Sequence, residues 1–166
     1  MIKKLSIGVL LFPSLCLAVP DHSGLYRDAD FNLNSYQGAY LCKIYPMPAN
    51  INDRRGYVDE VIGEANVVVE NEDKGTGKYV FVNLNNGKDI ETPLLPLAKK
   101  GSSGTTYGVK LNSFTMIYSL TPKEGTVIGI QDHRKGNNLS VMLGDCTLLH
   151  NQEAPAPADM LPEDGN

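Results

Sequence analysis

The chain has 166 residues, a net charge of −4 and no tryptophan. That length supports one hydrophobic core and hardly two. Its basic residues are scattered rather than gathered in a stripe, which excludes nucleic acid as a partner and gives no grip on an anionic membrane.

Lys3 and Lys4 precede an apolar run from Leu5 to Leu17, closed by Cys16-Leu17-Ala18. This reads as a cleaved secretory signal over residues 1–18, too short for a spanning helix. Lipidation of Cys16 would want a small residue before it, and Leu15 stands there. Cleavage leaves two cysteines, Cys42 and Cys146, in a periplasmic or secreted setting where a disulfide persists.

Residues 19–37 are polar and open on turn formers (Pro20, Gly24), which predicts an N-terminal arm rather than a core element. Within it, Asp28-x-Asp30-x-Asn32-x-Asn34 resembles half of a calcium loop, but Leu33 and Ala39 occupy the places of the required glycine and glutamate. In an extended segment these four side chains would face solvent while Ala29, Phe31 and Leu33 pack beneath.

Residues 38–150 carry short alternating runs separated by glycine-bearing turns, at the spacing of an all-β domain. The expected strands run from Gly38 to Tyr45, Gly63 to Glu70, Tyr79 to Leu84, Thr92 to Ala98, Thr105 to Leu111, Phe114 to Thr121, Thr126 to Asp132 and Leu139 to Leu149. About eight antiparallel strands make a single barrel or a β-sandwich. Asn86-Gly87 suits a type I′ turn between the third and fourth of them. Pro93 and Pro96 cannot donate to a ladder, so the fourth is an edge strand, a bulge or a covering loop. A Cys42–Cys146 bond would join the first and last strands. Phe114, Met116, Tyr118 and Leu120 form an apolar stripe that reads as core, or, in the carrier alternative, as the lining of a cavity. Residues 151–166 are Pro/Ala-rich and acidic, and are expected to form a disordered tail.

The chain offers no assembled catalytic set and no metal-ligand spacing, so no enzyme activity and no cofactor are expected. His22 and His150 lie at the ends of the domain, and His133 sits in the polar turn Asp132-His133-Arg134-Lys135-Gly136, with no Gly-x-Ser-x-Gly elbow to serve. The most unusual loop is Lys99-Lys100-Gly101-Ser102-Ser103-Gly104-Thr105-Thr106-Tyr107, flexible and positively charged on an acidic chain. Lys99, Lys100, Ser103, Gly104 and Tyr107 are the candidate partner-binding residues.

Tyr40-Leu41-Cys42, Ser103-Gly104-x-x-Tyr107, Phe114 and the late Cys146 together resemble the bacterial periplasmic or membrane-bound inhibitors of C-type lysozyme, which are small exported β-barrels. The resemblance implies that Ser103 enters the lysozyme cleft near its catalytic carboxylates. The family's Trp-x-x-Lys-Gly lysine has no counterpart, because Phe114-Thr115-Met116-Ile117 carries no lysine. The expected function is therefore an exported, non-enzymatic domain that binds a protein, a hydrolase or toxin, as an inhibitor or immunity protein; a basic partner would suit the acidic chain. A small-ligand carrier and an envelope assembly component are the alternatives.

Overall fold

A computed structural model describes residues 22–47 and 60–151; the expected signal, the acidic tail beyond Asn151 and the Pro48 to Asp59 connection lie outside them. Among the described residues every regular element is a strand except one 3-10 turn, Arg134–Gly136. In chain order the strands are β1 (Leu25–Arg27), β2 (Leu33–Ser35), β3 (Gly38–Pro46), β4 (Gly63–Asn71), β5 (Lys78–Leu84), β6 (Lys88–Ile90), β7 (Leu97–Lys99), β8 (Thr105–Lys110), β9 (Phe114–Thr121), β10 (Gly125–Asp132) and β11 (Leu139–Asn151).

Nine of them form one antiparallel sheet in the order β6-β5-β4-β3-β11-β10-β9-β8-β7. The alternation that marked the strands also decides their inner face. Tyr40 and Cys42, Val67 and Val69, Val80 and Val82, Met116 and Tyr118, Ile128 and Ile130 all point inward and are buried, while Glu64, Asn66, Glu70 and Asn83 on the opposite pleat are exposed. The sheet curls into a barrel-like form, and a single stretch of chain spans its two open sides. Leu95 exchanges both backbone hydrogen bonds with Lys78 of β5, and the Pro96 carbonyl accepts the Gly108 N–H of β8. The Thr92 to Ala98 run is thus a proline-bearing seam with a register shift between Leu97 and Lys99.

Cys42 and Cys146 are disulfide-bonded, joining β3 to β11. Strand parity alone would not bring them together. In β11, Val141 and Leu143 face inward, so residue 145 should follow; instead the pairing with β3 slips between Gly144 and Thr147, and Asp145 takes a left-handed φ of 47°. This bulge moves the strand by one residue and turns Cys146 into the core beside Cys42.

Three local expectations are corrected. The stretch expected to be a free arm folds as the β1–β2 hairpin across one end of the barrel, with Leu33 5% and Ser35 0% exposed. Ser35 accepts the Tyr118 hydroxyl on Oγ at 2.8 Å and the Lys78 ammonium on its carbonyl at 3.3 Å. The acidic stretch is not extended: Asp28 Oδ1 accepts the N–H groups of Asp30 and Asn32, closing a tight turn in which Phe31 is left-handed and 72% exposed. Only Leu33 packs as expected, because the side-chain oxygen of Asp28 competes with the pleat for nearby amides. Finally, Asn86-Gly87 does turn the chain, but into the short β6, with only Gly87 at positive φ (81°); the loop between Leu84 and Lys88 is a three-residue hairpin rather than type I′.

Candidate functional site

The loop singled out by sequence, between β7 and β8, lies beside the β1–β2 hairpin and is held by it. Leu33 donates its backbone N–H to the Gly101 carbonyl at 3.1 Å. Arg27 extends its guanidinium to the Ser102 carbonyl at 3.0 Å and to the Phe31 carbonyl at the same distance. Lys100 pairs with Asp28 at 2.7 Å. The loop also closes on itself, the Gly104 N–H reaching the Gly101 carbonyl at 3.3 Å. At Gly104 the φ is 156° and a Cβ would meet the Leu120 carbonyl at 3.0 Å, so glycine lets the turn lie against β9. The tip is therefore exposed but fixed, where composition alone suggested flexibility.

The five candidate residues divide into two groups. Lys99, Lys100 and Ser103 are exposed, as is Ser102, and Gly104 is half-buried at the base of the tip. Tyr107 is only 4% exposed, with its ring 6.0 Å from that of Tyr118. Its side chain packs in the interior and is accessible only where it helps line a cavity at the rim, a correction to the exposed loop role expected for it. Thr105 and Tyr107 share the inward pleat of β8, and that parity carries the ring inside. Burial pushes the Tyr107 hydroxyl up to about 12 and also raises that of Tyr118. Lys100 beside it holds the Asp28 carboxyl below its usual range, and Asp28 in turn raises Lys100. The pair leaves Lys99 as the tip's other cation.

The three histidines are exposed, and Asp132 beside His133 is bound instead to Arg134, at 2.9 Å from both guanidinium contacts. That ion pair holds Asp132 low, and the Arg134 guanidinium carbon lies over the Phe114 ring, 3.9 Å from its centre. The arrangement is a clamp on the barrel's end. Among the described residues no group of three or more His, Cys, Asp or Glu side chains is placed to hold a metal.

Two features escaped the sequence reading. On the outer wall, Ile117 of β9 and Met142 of β11 flank Gly129 of β10 in one cross-strand row, and with Met47 and Val127 they enclose an apolar groove of about 140 Å3. A glycine inside a strand, between two large apolar neighbours, was the available signal. The second is Lys78, 1% exposed, at the first inward position of β5. The strand expected from Tyr79 starts one residue too late, although the spacing Lys78, Val80, Val82, Leu84 places Lys78 on the inner face.

No protein-family model, no curated protein and no solved structure matches the chain.

Proposed function

We propose that the protein is an exported, non-enzymatic binding domain that inhibits or neutralises a hydrolase or toxin, with the tip at Lys99 to Gly104 as its recognition element. The observation that carries this reading is the fixed exposure of Ser102 and Ser103, tied at Gly101, Ser102 and Lys100 by contacts from the β1–β2 hairpin. A loop ordered before binding loses little conformational freedom on binding, which is how small inhibitors use short loops effectively. The disulfide suits an oxidising compartment.

The carrier alternative is less well supported. Phe114, Met116, Tyr118 and Leu120 are each at most 1% exposed and pack into the core cluster, so the stripe fills the space a cargo would need. Lysozyme inhibition and toxin immunity differ only in partner.

The test is a dose–response assay with the oxidised mature protein against a C-type lysozyme and against exported hydrolases and toxins encoded by neighbouring genes. Saturable loss of activity of one of them, weakened at least about tenfold by Ser103→Trp, is the expected result. An absence of inhibition across that set, or full potency in Ser103→Trp, would refute the tip as a recognition element.

A further inference from the structure

Between the β1–β2 hairpin, the β4–β5 turn and the β7–β8 hairpin the rim of the barrel opens into a cavity of about 340 Å3. Its wall includes Asn34, Asn71, Glu72, Lys78, Lys100 and Tyr107, with Leu97 as an apolar side. Three separate stretches of chain converge on it, and its volume is in the range of small-molecule sites.

Lys78 is the informative residue. At the next inward positions of the same strand stand Val80, Val82 and Leu84, which fill the barrel without carrying charge. Taking an ammonium out of water costs several kcal/mol before its partners repay it, and a methionine of similar length would fill the same space. Here Lys78 donates to Asn71 Oδ1 at 2.6 Å and to the Ser35 carbonyl at 3.3 Å, and lies 5.4 Å from the centre of the Tyr107 ring. These contacts hold the charge in one place, on the wall of a cavity that opens to solvent. The lining also includes Leu97 and Tyr107, surfaces that suit an apolar or flat group.

We propose that this cavity binds a small organic acid, with its carboxylate toward Lys78 and its apolar part against Leu97 and Tyr107. The chemistry favours a single negative charge. Glu72 on the rim and Asp28 on Lys100 repel a doubly charged group such as phosphate, while a planar carboxylate matches one ammonium with amide neighbours. The site goes beyond the recognition tip and does not depend on the tip's role.

The test is a titration of the oxidised, isotope-labelled protein with benzoate, and separately with acetate, followed through the backbone amide resonances. Benzoate should shift Gly77, Lys78 and Tyr107 saturably with a Kd on the order of 1 mM, and acetate, which lacks the apolar part, should bind at least about tenfold more weakly. Lys78→Met should abolish the benzoate response in a protein that stays folded, with a lower unfolding midpoint because the Ser35 carbonyl and Asn71 Oδ1 lose their donor. Thr76→Glu, at an exposed position on the same wall, provides a variant that leaves the core untouched and should weaken benzoate severalfold. No saturable shift with benzoate, benzoate binding retained in a folded Lys78→Met, or benzoate binding unchanged in Thr76→Glu would each overturn the proposal.

Discussion

The two seams of this barrel are closed by different means. Where β3 meets β11 the pairing runs the length of both strands, and the bulge at Asp145 adds a disulfide to it. On the opposite side, between β5 and β8, the chain offers Pro93 and Pro96, which have no N–H to give. There a side chain stands in for the backbone: the Thr92 hydroxyl donates to the Val80 carbonyl at 2.7 Å and accepts its N–H at 3.3 Å. Leu95, 0% exposed, plugs what remains. A closed sheet does not need equal pairing all round. It needs each side's backbone groups met by something, and the sparser seam leaves room for the rim cavity and the fixed tip beside it.

Breaking the covalent seam should have the largest effect. The bonded cysteines are 104 residues apart in sequence, a loop that the chain-entropy model credits with about 4.7 kcal/mol. Cys42→Ala with Cys146→Ala should lower the denaturant midpoint accordingly, with the slope changed by the freer unfolded chain. A loss below about 1 kcal/mol would mean that β3–β11 pairing alone holds that side. Second comes Leu95→Ala, which should cost about 3 kcal/mol in the same measurement by opening a cavity at the proline seam; a neutral result would show that the seam is closed by backbone contacts alone.

The smallest effect concerns the tie between hairpin and tip. Asp28 has a folded-state pKa below its unfolded one, so its pairing with Lys100 is present above the usual carboxylate range and is lost as pH falls through the lowered value. Protection of the Leu33 and Gly104 amides, measured against their intrinsic exchange rates, should therefore fall on acidification below about pH 4, and not between pH 5 and 7. Loss of protection on acidification within the neutral range would assign the tie to another group.

These seams also show where sequence is informative. Period-two alternation marked the long strands, since Val67 and Val69 or Met116 and Tyr118 leave little choice of inner face. The even cysteine count expected once residues 1–18 are read as a signal pointed to the bond between β3 and β11. What it could not reveal was the bulge, because one unpaired residue changes parity without changing composition. The β1–β2 hairpin was missed for a related reason: strands of three residues carry too few positions for a period, and its burial is settled by Ser35 meeting Tyr118 and Lys78 from distant strands. At the tip, the exposed serines were legible from composition. The inward turn of Tyr107 required strand parity to be carried through the loop into β8, and the buried charge of Lys78 required the same step in β5.

The central claim is that the hairpin holds the tip ready for a protein partner. It is tested most directly by comparing, at neutral pH, the wild type and Asp28→Ala against the lysozyme, hydrolase or toxin that responds in the dose–response assay. The account predicts that untying Lys100 from Asp28 raises the inhibitory concentration severalfold while the protein remains folded and Ser103 is unchanged. Equal potency of the two proteins would contradict it.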